Sequence, residues 1–297
     1  MTTEFLFITA NDIHISDSNP RSRIDNFKES ILDKLGQMRN ACNKLAADGA
    51  IIAGDLFNIK NPAKNSHQLN QDLIRLFRQF KCPVYMIEGN HDLTANSLDS
   101  LTGQPLGVLF EDQTLIRLRE ERIEKNGVSI SLVGIPYQDN LDLGRLKFPD
   151  RGNSVARIAA MHLYASPKAD DLFGTKIHGY DEFLHLDADV FVIGHYHIDQ
   201  GVVEHGGKWF VNIGALSRGT LREENIEHHP QIGFIKILAE ENKVSFNVQP
   251  IKLKIKPASE IFDLEKREEE KKEAQEIEIF VDKLVSDSAD IDRKSVV

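Results

Sequence analysis

Five short polar motifs punctuate the first two thirds of the chain: Asp12-Ile13-His14, Gly54-Asp55, Gly89-Asn90-His91-Asp92, Met161-His162 and Gly194-His195-Tyr196-His197. Their side chains are carboxylates, one amide and imidazoles, with no thiolate among them. That hard-to-borderline donor set suits Mn, Fe, Zn or Co at a reactive centre rather than a structural zinc. Asp12 and His14 stand two residues apart, as do His195 and His197, so at the end of an extended segment each pair can turn toward one centre. A lone carboxylate such as Asp55 lying between two ions can bridge them at a separation of roughly 3.5–4 Å. Gly54, Gly89 and Gly194 permit the tight turns that bring such groups close. Any one motif alone is weak, because a single Asp-x-His or Gly-His-x-His is more often a surface or core histidine. Five of them in order are hard to explain as structure alone.

The elements that must position these residues are strands. Phe5-Leu6-Phe7-Ile8, Ala50-Ile51-Ile52-Ala53, Pro83–Ile87, Val155–Met161 and Val190–Ile193 read as buried strands, and each runs directly into one of the motifs. Ligands would then gather at the C-terminal strand ends, where open α/β sheets build their sites. Helices are predicted over Ile24–Asp48, with Phe27, Ile31, Leu32, Leu35 and Met38 on one face, and around Leu69, Leu73, Leu76 and Phe77. From about residue 114 the pattern reads as antiparallel. Asn126-Gly127 and Gly206-Gly207 mark hairpins, and Gln231–Ile237 and Val244–Val248 read as the last two strands of a second sheet. The catalytic domain is expected over 1–250. Residues 251–297 are expected to hold a linker and one charged helix over 259–285 with Ser259 as its N-cap. Glu265–Glu273 is charged all round, as a solvated helix is. Beyond it, Ile277, Phe280, Val281 and Leu284 form an apolar stripe that either docks on the domain or receives a partner.

Composition narrows the class. The 297 residues are 41% hydrophobic and 28% charged, an ordinary globular balance. No apolar run is long enough to span a bilayer. The start, Met1-Thr2-Thr3-Glu4, has no basic region ahead of an apolar stretch, which argues against a signal peptide. Only Cys42 and Cys82 are present, so no disulfide framework is indicated and the expected compartment is the reducing cytoplasm. The formal charge of −10 counts against a nucleic-acid partner, but residues 258–297 supply 13 acidic and 7 basic side chains of it. Two divalent cations would offset most of the charge left on the remainder.

The ordered motifs Asp-x-His, Gly-Asp, Gly-Asn-His-Asp, a lone His and Gly-His-x-His resemble the calcineurin-like metallophosphoesterase superfamily over residues 4 to about 237. The resemblance implies a four-layer α/β/β/α sandwich. It implies one metal held by Asp12, His14, Asp55 and His197, and a second held by Asp55, Asn90, His162 and His195. His91 would be the proton donor or charge stabiliser, oriented by Asp92. Gly54-Asp55-Leu56-Phe57 and Cys82–Asp92 are most similar to SbcD-type DNA repair exonuclease subunits, which implies two Mn²⁺ ions, DNA as substrate, an SbcC-type coiled-coil ABC ATPase as partner and a possible homodimer. Asn58-Ile59-Lys60 after the second motif and Asp92 in the third set the chain apart from the serine/threonine phosphatases. Ile15-Ser16 departs from the SbcD-like first motif, and residues 258–297 are too few for that group's DNA-capping domain, so a compact member or a truncated chain is expected. In such a centre a hydroxide bridging two cations attacks phosphorus in line, while His91 protonates the leaving oxygen.

Arg218 is a candidate phosphate contact, against the plainer reading of a surface salt bridge. His67, His178, His185, His205, His228 and His229 lie outside the motifs and read as surface or loop residues. Two other functions stay open: a stand-alone phosphodiesterase or phosphatase for a small nucleotide, favoured by the acidic charge, and a non-enzymatic scaffold, which the complete ligand set argues against.

Overall fold

Strand β1 (Thr3–Ala10) is buried at every residue except Glu4, as a continuous apolar run covered on both faces must be. In the computed structural model, which describes residues 2–272 apart from 173, 222, 242, 267 and 269–271, β1 lies at the centre of a six-stranded sheet. On one side it pairs in parallel with β2 (Gly49–Ile52), followed by β3 (Val84–Met86) and β4 (Ile116–Arg117). Helix α1 (Phe27–Leu45) connects β1 to β2. Asn26 caps it by accepting a hydrogen bond from the Glu29 amide, and Phe27, Ile31, Leu35, Met38 and Cys42 form its buried face. Helix α2 (His67–Phe77), capped by Ser66, and α3 (Pro105–Glu111), opened by proline, complete the layer over this sheet.

A second six-stranded sheet is built from β5 (Glu120–Lys125), β6 (Val128–Ile135), β7 (Ala156–Leu163), β11 (Val190–His195), β12 (Gly201–His205) and β13 (Lys208–Asn212), in the order β12-β13-β11-β7-β6-β5. Between β7 and β11 the chain forms a small sheet of β8 (Ala165–Ser166), β9 (Asp170–Leu172) and β10 (Thr175–Gly179). Phe5, Phe7, Ile51 and Tyr85 meet Ile130, Ile158, Val190 and Val211 between the two large sheets. The outer face of the second sheet packs Met161, Phe191 and Phe210 against Leu143, Tyr180, Phe183 and Leu186. The α/β sandwich with two facing sheets is thus the architecture formed. Its fourth layer consists of short turns and strands, because glycines and prolines such as Gly144, Pro149, Gly152 and Pro167 break the segments that cover this sheet.

Three expectations need correction. The second sheet is mostly parallel: β6, β7, β11 and β13 run the same way, and only β5 and β12 are antiparallel. Short hairpins at Asn126-Gly127 and Gly206-Gly207 are present as expected, but the longer connections carry the chain back across the sheet before each new strand. The strands β14 (Gln231–Glu240) and β15 (Lys243–Lys252) follow α4 (Glu223–Glu227) and join the first sheet, with β14 antiparallel to β1. Finally, the helix predicted over 259–285 is interrupted: α5 (Ala258–Ile261), preceded by Pro257 and without a side-chain cap, ends at Phe262, and the described residues 264–266, 268 and 272 are helical again. Ile261 and Phe262 are both buried at the point where the helix ends. Phe262 turns extended and bridges to Arg23. Ile277, Phe280, Val281 and Leu284 lie outside the described residues. Cys42 and Cys82 are free thiols, and among the described residues no helix is long and apolar enough to cross a membrane.

Candidate dinuclear metal site

The motifs meet where β1, β2, β3, β7 and β11 end, at the C-terminal edges of the two facing sheets. Asp12 and His14 sit on the loop after β1, and that loop is zipped to the loop after β2 by the His14 amide to Asp55 carbonyl and Ile15 amide to Leu56 carbonyl bonds, both 2.9 Å. Asp12, His14, Asp55 and His195 all take left-handed backbone conformations, with φ of 48°, 49°, 53° and 87°. Non-glycine residues there cost roughly 1–3 kcal/mol each, and such strain gathers at functional sites. Gly89 passes so close to Asp55 that a Cβ would stand 2.1 Å from its Oδ1.

Asp12, His14, Asp55 and His197 offer one ligand atom each within a single cluster, and Asp55, His162 and His195 form a second, so Asp55 belongs to both. Its Oδ2 is buried, has no hydrogen-bond partner among the described residues, and lies 3.5 Å from both His14 Nε2 and His162 Nε2. Its other oxygen accepts the His91 amide at 2.7 Å. Asn90 joins the second cluster, with Oδ1 3.2 Å from His162 Nε2. His162 Nδ1 donates to the Ala53 carbonyl at 2.7 Å, which leaves its Nε2 lone pair for the centre. His14 Nε2 and His197 Nε2 face each other at 2.9 Å. An orphaned carboxylate oxygen between imidazole nitrogens, with oxygen and nitrogen donors only, is what a pair of divalent cations would satisfy.

The electrostatics fit the same reading. Burial pulls the His14 imidazole well below its usual range, and burial with the His162 charge brings His195 down to about 2. Both are then neutral ligands at any ordinary pH. For His162 burial acts in the same direction, but the Asp55 charge outweighs it and raises the group to about 9. Burial opposes the ionised Asp55 as well, yet the His162 and His14 charges hold its carboxyl below the ordinary range. Burial raises Asp12, while both its oxygens accept the His195 amide, at 2.9 and 3.0 Å.

His91 sits beside the first cluster, its ring centroid 4.8 Å from that of His14. Asp92 does not orient it. The His91 Nδ1 donates to the Asn58 carbonyl at 2.8 Å, whereas the buried Asp92 carboxylate accepts the Phe57 and Gly89 amides at 3.1 and 3.0 Å. Asp92 therefore ties the loop after β2 to the turn that carries His91. Burial and the Asp55 charge push it up to about 8. Arg218 also departs from expectation. Its guanidinium is buried and donates to the carbonyls of Asn225, Ile226 and Lys256, away from the cleft.

Two cavities flank the clusters. One, of about 330 Å³, is lined by His14, His91, His197 and neutral polar groups such as Ser16, Asn58 and Thr220. The other, of about 500 Å³, opens beside His195 and carries Tyr137, Tyr164, Asp139, Asp142, His178 and Lys176. Tyr164 packs 3.9 Å from the His195 ring and Tyr137 5.2 Å, between centroids. Sequence reasoning missed both tyrosines. The only signal for Tyr164 is its place two residues after His162, and Tyr137 has none beyond following β6.

The profile of the family described as calcineurin-like phosphoesterase matches residues 5–208. Over 198 residues the chain is 25% identical to the DNA double-strand break repair protein Mre11 of Archaeoglobus fulgidus, a match covering 60% of this chain and 42% of that protein. Among solved structures, it resembles a Staphylococcus aureus protein described as a 5′-nucleotidase, with a TM-score of 0.57 and 14% identity over 86% of this chain and 55% of the other. A dimetal phosphatase from Danio rerio superposes with a TM-score of 0.52 and 11% identity, over 85% of this chain and 99% of its own. At such identities these structural likenesses speak for the fold.

Proposed function

Since the chain belongs to the calcineurin-like phosphoesterase family and is a dinuclear metal-dependent hydrolase, we propose that its substrate is DNA and that it cleaves phosphodiester bonds as a nuclease of the SbcD kind. The observation that supports this most is the Asp55 carboxylate shared between two ligand clusters with His91 at their edge, combined with the likeness to the Mre11 repair protein. Asp12, His14, Asp55 and His197 would hold one ion, and Asp55, Asn90, His162 and His195 the other. Such ions, when bound, activate water and neutralise charge on a phosphoryl group. Manganese is the metal we propose.

The residues divide the remaining work. Asp55 fixes the spacing of the two clusters and, through its bond to the His91 amide, the place of His91. The His91 Nδ1 proton is held by the Asn58 carbonyl, which turns Nε2 toward the cleft, where a protonated ring can deliver a proton to the departing oxygen. For DNA that oxygen would be the sugar 3′-oxygen. The chain spans less than half the length of the Mre11 protein it matches. An SbcC-type ATPase, a homodimer and a cytoplasmic location accordingly belong to the same proposal.

One observation favours a second reading. The cavity beside His14 is lined by neutral groups, and the one beside His195 holds Asp139, Asp142 and Glu182 against Lys176. Such walls suit a small nucleotide better than a polyanionic duplex. Mn²⁺-loaded chain assayed on end-labelled duplex DNA and on a chromogenic phosphodiester separates the two. Cleavage of both supports the nuclease, whereas turnover of the small ester with none of DNA overturns it.

A further inference from the structure

Apart from the catalytic cleft, a cavity of about 340 Å³ lies between the N-terminal half of α1 and the segment from Lys254 to Ile261. Lys34 lines it. This residue is 2% exposed, and its Nζ has no hydrogen-bond partner among the described residues. A buried ammonium group normally sits against an acceptor or a counter-charge, because removing it from water is otherwise costly.

The surroundings make the deficit larger. Arg218, also 2% exposed, lines the same cavity, and Arg23, 5% exposed, lies behind it. Both guanidinium carbons lie 5.4 Å from the Phe262 ring centroid. Against these three buried cations stands one buried carboxylate, Asp25, held by Arg23 at 2.7 Å, with Asp33 adding a weaker attraction for Lys34 from the exposed rim. Arg218 spends its donors on main-chain carbonyls, which satisfies its hydrogen bonds but leaves its charge in place. Glu29 and Asp33 are exposed at the mouth, and Lys254 and Lys256 face them there.

We infer that this cavity binds a small oxyanion, a carboxylate or a phosphate group, with Lys34 as its charge partner. An anion supplies the missing negative charge and the acceptor that Lys34 lacks. The arginines add long-range attraction rather than direct grip, since their hydrogen bonds are already made. Burial together with the Arg23 and Arg218 charges draws the Lys34 amine down to about 7, so an arriving anion would also favour its protonated form.

Calorimetric titration of the metal-free, full-length chain with sodium phosphate, and separately with sodium acetate, at constant ionic strength tests this. The expected result is saturable one-to-one uptake of at least one anion, weakened about tenfold or more in Lys34→Met, a loss of roughly 1.4 kcal/mol. Lys34→Arg keeps the charge and should keep the binding, which guards against a loss that merely reflects misfolding of the methionine variant. Preference for phosphate or for acetate identifies the source of the oxyanion. Absence of uptake of both anions, or uptake that Lys34→Met leaves unchanged, overturns the assignment. The second outcome would place the anion on the histidines of the metal-free centre instead.

Discussion

Gly89→Ala isolates the geometry of the centre, because the backbone there does not require glycine. Gly89 has φ −94° and ψ 174°, a conformation open to any residue, so on backbone grounds alanine would be neutral or stabilising by about 0.4–1 kcal/mol. The obstacle is steric. The new Cβ would lie 2.1 Å from Asp55 Oδ1, 2.4 Å from its amide nitrogen and 2.7 Å from its Cγ. Ordinary contact needs about 3.4 Å, so the two loops must part by roughly 1 Å, and neither side is a flexible chain end. The 2.7 Å bond from the His91 amide to Asp55 Oδ1 cannot survive this. Loss of a buried bond to a charged group costs about 1.5–3 kcal/mol, and overpacking adds about 1–3. Set against the backbone gain, the variant should be about 2–6 kcal/mol less stable. Misplacing the shared carboxylate should weaken metal binding about 10–100-fold and lower turnover by about two orders of magnitude. Thermal unfolding, metal titration and phosphodiester turnover are measured beside Gly103→Ala, where a Cβ meets nothing within 4 Å and little change is expected. Wild-type metal affinity and turnover in Gly89→Ala would refute the reasoning.

Other outcomes follow from single side chains. His91→Asn should lower turnover by about 10²–10⁴-fold while calorimetric metal stoichiometry is unchanged, whereas parallel loss of both would remove His91 from proton transfer. Because Asp55 raises His162 to about 9, metal loading near neutral pH should release a proton, and affinity should fall as the pH drops. Calorimetry in buffers of different ionisation enthalpy reads that proton directly. Lys34 is lowered to about 7 in the folded chain from an ordinary value near 10.5, so the unfolded chain binds more protons between those values. Its contribution to stability is thus present above about 10.5 and lost as pH falls from there to about 7. The difference in stability between wild type and Lys34→Met should rise across that window, and a flat difference would contradict the shift.

Much of the centre could be read from the chain because its residues sit in short motifs at the ends of apolar strands. Asp12, Asp55, Asn90, His162 and His195 need only the strand order to bring them together, and the two facing sheets supply it. What the sequence hid depends on contacts between distant segments. Parallel and antiparallel neighbours share one apolar pattern, so β7, β11 and β13 gave no sign of their direction, and β14 showed no sign that it pairs with β1. Arg218 looks like any cation beside a catalytic loop until Asn225, Ile226 and Lys256 present their carbonyls to it. Asp92 neighbours His91 in sequence, but its carboxylate is claimed by the amides of Phe57 and Gly89. The break after Ile261 goes with Phe262, which is buried against Arg23 and Arg218 and bridges to Arg23 in extended form.

The central claim is that one carboxylate, Asp55, joins two ions. Electron paramagnetic resonance of the chain titrated with Mn²⁺ tests it most directly. Two ions per chain are expected, with the broadened, multi-line spectrum of an exchange-coupled pair, which collapses in Asp55→Asn. A single bound ion, or two ions with independent six-line signals, would contradict it.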